Sequence, residues 1–270
     1  MANPRSVGSL AALLASCAIL AGCDGPWDPG VRYRAFLMLE RWERSDPAAR
    51  HTIAALQPFR SDDKQPSFTW LDSHCGHHRG DWRRGDPLPP SHGITRMRAP
   101  ALGEVAWNMN GGSLISGYEP EGGAMGWDSG DRLEVTALGG DLPGFHVEAV
   151  VPERAELTSH DLEHAAARSV VIVRGEPLEL TWDPVASEVI ALFLQFEEST
   201  YLANGLWCFF PGAAGSAQVP VEAMNALLPT SAITNTNFYF GGAVRQQLAL
   251  EGVDLESVTW KARAARVLVQ

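Results

Sequence analysis

The stretches Leu133–Leu138 (LEVTAL) and Leu178–Trp182 (LELTW) decide the fold. Apolar and polar residues alternate along both, as expected of β-strands with one buried face. The turn sequence Gly139-Gly140-Asp141 follows the first stretch, and Asp183-Pro184 follows the second. Short alternating segments separated by turn residues every 8–12 residues or so are typical of a β-sandwich or barrel.

The pattern continues on both sides of these two stretches. The segment Val31–Trp42 is also compatible with a helix, although its alternation favours a strand, and His51–Phe59 is either a strand or a short helix. Residues 61–100 are rich in Asp, Pro, Gly, His and Arg, which favours a long loop. The other predicted strands are Val105–Asn108, Ser113–Tyr118, Phe145–Val151, Ser169–Val173, Val189–Phe196, Leu206–Phe210, Phe238–Phe240, Gln247–Leu250, Val258–Lys261 and Ala265–Val269.

The chain is therefore predicted to be all-β, an immunoglobulin-like β-sandwich of one or two units with a short helix. Pro220–Leu228 is the expected helix, because Pro220 suits its start and Pro229 its end. The predicted organisation is a signal peptide at 1–22, a lipid-anchored tether at 23–30, an N-terminal β/loop region at 31–100, a first β unit at 101–155, a linker at 156–168 and a second sandwich unit at 169–270.

The first residues have the features of an export signal. Arg5 supplies a positive charge, and the apolar stretch Val7–Leu20 is shorter than the roughly 20 residues that span a bilayer. The sequence Leu20-Ala21-Gly22-Cys23 resembles the bacterial lipobox, which implies cleavage before Cys23 and lipid on its thiol. Acyl chains would anchor the protein without a membrane helix. The alternative is a plain secretory peptide with a chance cysteine.

The expected location is the cell envelope, with the folded part outside the cytoplasm and the lipid in the outer or inner membrane. Asp24 resembles the inner-membrane retention signal of enteric bacteria, a rule that does not hold in all bacteria. The net charge of −11 excludes nucleic acid as a partner, because nucleic-acid binding needs a basic surface. Of the four cysteines, Cys75 and Cys208 remain after the signal and the lipid site. They form either a disulfide or two separate buried thiols.

The order of motifs in the second half resembles a family. Gly130–Pro152, Leu178–Pro184, the apolar strand Val189–Phe196 and Leu206-Trp207-Cys208-Phe209 are followed by Val219-Pro220 and a short helix. Together with the lipobox, this order is similar to myxobacterial-type secreted lipoproteins of uncharacterised function. The resemblance covers roughly residues 101–270 and implies no catalytic residue. Members of that set often hold several cysteines in the N-terminal region, whereas this chain has Cys75 there.

One short motif points to catalysis. His160-Asp161-Leu162-Glu163-His164 matches the inverted zincin pattern H-x-x-E-H. On a helix, His160 and His164 would share one face and bind zinc, with Glu163 as general base. The alternative is a solvated linker helix, because the motif lies in a short segment between predicted strands.

A second group of candidate metal ligands surrounds Cys75. His74, His77 and His78 could hold zinc or copper together with the Cys75 thiolate. A disulfide at Cys75 would remove the thiolate. The alternative is a polar loop beside a buried cysteine.

The nine tryptophans suggest a third function. Exposed indole rings on β-sandwiches can stack on the apolar faces of sugars. The alternative is packing, for which Trp182 and Trp260 are the clearest core candidates. The tryptophans near turns or glycines are Trp70, Trp82, Trp107, Trp127 and Trp207.

The sequence contains none of the motifs G-x-S-x-G, G-x-x-x-x-G-K-[ST], G-x-G-x-x-G or C-x-x-C. The leading hypothesis is therefore a non-enzymatic envelope lipoprotein with no cofactor, which binds a protein or glycan, adheres or gives structural support. A zinc-dependent hydrolase and a glycan-binding module are the alternatives.

Overall fold

The computed structural model describes residues 33–44, 50–60, 69–81, 94–101, 103–107, 116–118, 127–140, 142–162, 170–197, 202–233, 235–251 and 253–270. The chain is mostly β, with one short α-helix among these residues. The predicted signal peptide, the tether and the lipidation site Cys23 lie outside the described residues.

The strands range from two to seventeen residues in length. The single α-helix of the described part, α1, covers Val221–Met224, and a 3-10 turn covers Gly212–Ala214. The strands are β1 Tyr33–Arg44, β2 Arg50–Arg60, β3 Thr69–Trp70, β4 Cys75–Asp81, β5 Thr95–Ala99, β6 Gly103–Trp107, β7 Ser116–Tyr118, β8 Arg132–Ala137, β9 Phe145–Val150, β10 Val170–Ile172, β11 Leu178–Thr181, β12 Glu188–Glu197, β13 Leu202–Pro211, β14 Ser216–Val219, β15 Asn235–Leu250 and β16 Val253–Val269.

Ten of these strands form one large sheet. Its order is β3-β4-β13-β12-β15-β16-β1-β2-β7, and β10 also pairs with β16. Most neighbours are antiparallel, but β1 and β10 both run parallel to β16. Tyr33 lies opposite Val253, and Arg44 lies opposite Ala264. Val170 lies opposite Val267, so β10 continues along the same strand where β1 has ended.

Two smaller sheets complete the architecture. The four-stranded sheet has the order β6-β5-β8-β9 and is antiparallel throughout. Its strands alternate cleanly, with every second residue of Phe145–Val150 buried. The two-stranded sheet pairs β11 with β14.

The smaller elements cover one face of the large sheet and bury two hydrophobic clusters against it. The four-stranded sheet packs on β1 and β16, where Leu37 and Leu255 meet Val135 and Val147. The β11–β14 pair and α1 pack farther along the same face, where Phe193 and Phe238 stack with ring centroids 4.4 Å apart. These two clusters make the fold layered, as the alternating stretches predict.

The opposite face of the large sheet buries a third cluster. Trp260 is fully buried there, and Tyr239 meets it edge-on with ring centroids 5.6 Å apart. Ile190 and Leu192 are also buried on this face, while Val189 and Ala191 are buried on the other face, in the cluster that contains Phe193 and Phe238. Strand β12 is therefore apolar on both sides, which explains the continuous apolar run in its sequence.

The structure confirms several predicted strands and corrects others. The described part of the segment Val31–Trp42, from Tyr33 onward, is a strand rather than a helix, as β1, and His51–Phe59 lies within β2. Residues 61–100 are not one long loop, because they contain β3, β4 and β5. The predicted helix Pro220–Leu228 is shorter, since helical backbone covers Val221–Met224.

The closing strands are longer than predicted. The segments Phe238–Phe240 and Gln247–Leu250 belong to one strand, β15, and Val258–Lys261 and Ala265–Val269 belong to β16. Gly241 and Gly242 interrupt the apolar pattern of β15, but they occupy places where a Cβ would meet neighbouring backbone. The interruption in the sequence therefore marks close packing and not a turn.

Strand pairing crosses the predicted domain boundaries. β1 and β4, from the N-terminal region 31–100, belong to the same sheet as β12, β13, β15 and β16 from the predicted second unit 169–270. β5, from the same N-terminal region, belongs instead to the four-stranded sheet. Within the described ranges, no helix is long and apolar enough to cross a bilayer.

Candidate functional site

An exposed aromatic turn lies between β3 and β4. Trp70 ends β3 and is 41% exposed, and Leu71 beside it is 40% exposed. The Asp72 carboxylate accepts hydrogen bonds from the backbone N–H groups of His74 and Cys75, both at 2.6 Å. The Leu71 N–H donates to the Cys75 carbonyl at 2.8 Å. We call residues 70–74 the Trp70 turn; these bonds fix its backbone.

The turn is also tied to the neighbouring strand β13. The Phe209 N–H donates to the His74 carbonyl at 3.0 Å, and the His74 Nδ1 lies 3.2 Å from the Phe209 carbonyl. Directly after the turn, Cys75 forms a disulfide with Cys208. Both cysteines are fully buried. The turn that carries the exposed Trp70 is therefore held to β13 by hydrogen bonds and by the adjacent disulfide.

An ion pair lies beside Trp70. The Arg245 Nε–H and Nη2–H donate to the two carboxylate oxygens of Glu188, at 2.8 and 2.6 Å. The guanidinium carbon lies 4.2 Å from the centroid of the Phe209 ring and 5.9 Å from that of Trp70. The two parallel hydrogen bonds fix the orientation of Arg245 relative to Glu188, and the guanidinium also makes cation–π contacts with both rings. Trp70, Phe209, Arg245 and Glu188 together form the aromatic–ion-pair site.

The ion pair is partly accessible to solvent. The side chain of Arg245 is 27% exposed and that of Glu188 is 35% exposed. The hydrogen bond from Glu188 raises the pKa of Arg245 above its ordinary value, and burial opposes that shift. The Glu256 carboxylate also favours the charged form of Arg245. Arg245 therefore stays charged at any physiological pH.

A buried polar network lies on the other face of β13. The Asn204 amide donates to the Gln195 side-chain oxygen at 2.7 Å, and the Gln195 amide donates to the Leu228 carbonyl at 2.7 Å. The His77 Nε2 lies 2.6 Å from the Asn204 side-chain oxygen. The network fastens the turn after α1 to the sheet. His77 thus has a structural hydrogen bond at the end of this network.

The histidines around Cys75 do not form a metal centre with its thiolate. Cys75 is oxidised in the disulfide and cannot bind a metal as a thiolate. His74 faces the Phe209 carbonyl, and His77 faces Asn204. The side chain of His78 lies outside the described part. Among the side chains that the structure describes, no three His, Cys, Asp or Glu residues are grouped to hold a metal ion.

The H-x-x-E-H motif begins in irregular backbone. His160, Asp161 and Leu162 lie in a bend and are not helical, while Glu163 and His164 lie outside the described residues. The His160 Nδ1 lies 2.8 Å from the Ser159 hydroxyl, and burial lowers the pKa of His160. Leu162 is buried in the cluster that contains Phe193 and Phe238. The helical start that the zincin interpretation requires is absent from the described half of the motif.

A small cavity lies beside this motif. Its volume is about 90 Å³, and Glu156, Asp161 and Arg263 supply its polar lining. Small-molecule sites commonly exceed about 300 Å³, so this cavity has room for a few waters rather than a substrate. Glu156 pairs with Arg154 and, at 3.7 Å, with Arg263. The Glu156–Arg263 pair joins the segment after β9 to β16.

The tryptophans divide between core and surface. Trp182 and Trp260 are buried, as expected of core residues, but Trp127 is also buried and cannot serve as a sugar platform. Trp207 is half-buried against the third cluster. Among the tryptophans whose side chains are described, Trp70 is the most exposed. The side chains of Trp82 and Trp107 lie outside the described part.

No family model matches the chain, and no curated protein matches it. The resemblance to myxobacterial-type secreted lipoproteins therefore stays a prediction.

Sequence reasoning missed three of the four residues of the site, because Phe209 was named only as part of a strand and a motif, and Glu188 and Arg245 were not named. Glu188 and Arg245 lie 57 positions apart, on neighbouring antiparallel strands. Glu188 begins the apolar strand β12, where a charged residue is common, and Arg245 lies within β15 among residues of mixed polarity, so neither position carries a local signal. Trp70 was among the sequence candidates, and the density of turn residues after it was the available clue.

Proposed function

We propose that this chain is a lipid-anchored cell-envelope protein whose β-rich body serves as a non-enzymatic binding module. The observation that carries the proposal is the lipobox Leu20–Cys23 after a short apolar stretch. The anchor would be lipid on Cys23, in the outer or inner membrane, with the body outside the cytoplasm. The exposed and fastened Trp70 turn supports a binding role, because rigid aromatic side chains are frequent anchors of binding sites.

The disulfide supports the extracytoplasmic location. Disulfides persist in oxidising compartments such as the periplasm and the cell surface, and are rare in the cytosol of most bacteria. Cys75 and Cys208 are bonded, whereas the proposed lipid site Cys23 and the signal-peptide residue Cys17 fall outside this pair. Cys75 and Cys208 thus have the oxidation state that export would produce.

The immunoglobulin-like type of the sandwich remains part of the proposal. The packing of the four-stranded sheet on the large sheet supports a layered all-β body. An immunoglobulin-like unit has seven to nine antiparallel strands in two sheets. The ten-stranded sheet and the parallel pairing of β1 with β16 are additions to that pattern.

Metabolic labelling with a palmitate analogue tests the anchor. The full chain, expressed in a bacterium with lipoprotein processing, is expected to incorporate the label and to sediment with membranes. A Cys23→Ser variant is expected to lose the label, while Cys17→Ser is the matched control and keeps it. Labelling that persists in Cys23→Ser, or an unlabelled full chain in the cytosol, would refute the proposal.

A further inference from the structure

We propose that the aromatic–ion-pair site binds a neutral carbohydrate, with the indole of Trp70 as the stacking platform and the Arg245–Glu188 pair as the hydroxyl-binding group. This inference rests on the proposed binding function and names its ligand class. The site places an exposed aromatic ring beside an ion pair whose N–H donors and carboxylate oxygens can form further hydrogen bonds.

The stacking surface comes from Trp70. Its side chain is 41% exposed, although Trp127, Trp182 and Trp260 are almost completely buried. Exposure of an indole ring to water is unfavourable, and the flat C–H face of a pyranose can cover such a ring. Leu71, 40% exposed at the next position, extends the apolar surface.

The polar half of the site has hydrogen-bonding groups to spare. A guanidinium carries five N–H donors, and Arg245 gives two of them to Glu188. Each oxygen of Glu188 accepts one of these bonds and keeps acceptor capacity. A sugar hydroxyl both donates and accepts, so adjacent hydroxyls match a surface that offers N–H groups beside carboxylate oxygens.

The charges of the site disfavour an anionic ligand. Arg245 is paired with Glu188 at hydrogen-bond distance, and the Glu256 carboxylate also interacts with the guanidinium. A phosphate or an anionic polymer would have to compete with Glu188 for the guanidinium, and a cation would have to compete with Arg245. A polyhydroxylated neutral molecule can bind without breaking the pair.

The site is ordered before any ligand arrives. The bonds of Asp72 fix the Trp70 turn, the disulfide at Cys75 fastens its end, and Phe209 lies against the guanidinium. Binding to a preorganised site loses little conformational entropy. This feature distinguishes Trp70 from a tryptophan that is exposed on a mobile loop.

The test uses the full chain, purified in a mild detergent and applied to an array of neutral, acidic and amino glycans. Titration calorimetry with the strongest neutral oligosaccharide follows. We expect binding that is insensitive to salt, and we expect Trp70→Ala to weaken it about tenfold or more through the lost stacking. Trp70→Phe keeps a ring and should lose less, and Arg245→Lys loses the planar donor fork and should weaken binding several-fold.

Leu138→Ala is the matched control, because Leu138 is an exposed apolar residue directly after β8, far along the chain from the site. It should bind as the unmodified chain does. Four results would overturn the inference: no neutral glycan bound, equal affinity of Trp70→Ala, binding confined to charged glycans, or a protein partner that occupies the Trp70 turn. Because palmitate labelling at Cys23 is measured separately, these results would leave the anchor itself standing.

Discussion

Cys75 and Cys208 lie directly opposite each other on the neighbouring antiparallel strands β4 and β13, with their Cα atoms 4.1 Å apart. The bond joins positions 133 residues apart in sequence. It fastens β4, which follows the Trp70 turn, to the interior strands of the large sheet. The disulfide therefore links the N-terminal strands to the part of the sheet formed by the second half of the chain.

Removing this bond should destabilise the fold. The double variant Cys75→Ala/Cys208→Ala releases a long loop in the unfolded chain, and its free energy of unfolding should fall by about 2–5 kcal/mol. Chemical denaturation monitored by tryptophan fluorescence measures the change. Reduction of the unmodified chain should produce a fall of similar size, and an unchanged midpoint in both experiments would contradict the prediction.

The Gln195 network should be sensitive to removal of its polar atoms. Gln195→Leu removes both side-chain partners of the Leu228 backbone N–H and carbonyl, and it leaves the buried Asn204 amide with the Ala226 carbonyl as its remaining acceptor. We expect a loss of about 1–3 kcal/mol in the free energy of unfolding. Gln218→Leu, the same change at an exposed position, is the control and should have little effect. Equal losses in the two variants would show that the network does not contribute.

Asp128 should make stability depend on acid pH. The hydrogen bond from Lys261 holds the pKa of Asp128 below its ordinary value, with a further contribution from Arg41. A carboxyl with a lowered folded-state pKa stabilises the fold above its unfolded-state pKa, and that contribution disappears as the pH falls below about 4. Asp128→Asn should therefore be less stable at pH 7 and should converge on the unmodified chain near pH 2–3.

Thermal unfolding between pH 7 and pH 2.5 measures this difference. Asp131→Asn is the control, because Asp131 lies in the same turn but accepts from the Asp128 backbone N–H rather than from the basic pair. A stability gap between Asp128→Asn and the unmodified chain that does not narrow in acid would refute the assignment.

Gly242 should tolerate no side chain. A Cβ at this position would lie 1.9 Å from the Glu153 carbonyl, because the segment after β9 crosses β15 there. Gly242→Ala must displace that backbone, and the free energy of unfolding should fall by about 3 kcal/mol or more. The comparison is Gly130→Ala, where the space is open but φ is +87°, and where a cost of about 1 kcal/mol is expected. Circular dichroism during urea unfolding distinguishes the two.

The sequence by itself determined the all-β class and many of the strand-forming segments, although it missed β3, β4 and β5. Alternation at Leu133–Leu138 and at Leu178–Trp182 is a local property, because each residue's neighbours two positions away share its face. The apolar run Val189–Phe196 likewise predicted a strand, and it lies within β12, in the interior of the large sheet. The lipobox is also a local signal, since it is recognised in four consecutive residues.

The tertiary structure alone decided which segments are neighbours. The parallel pairing of β1 with β16, the union of β1 to β4 with β12, β13, β15 and β16 in one sheet, and the choice of a disulfide over two thiols all depend on contacts between distant positions. Likewise, Arg245 meets Glu188 and Trp70 only because the strand order of the sheet brings them together. Alternation specifies which face of a strand is buried but not which strand lies beside it, and this is the physical reason why the site could not be assembled from the sequence.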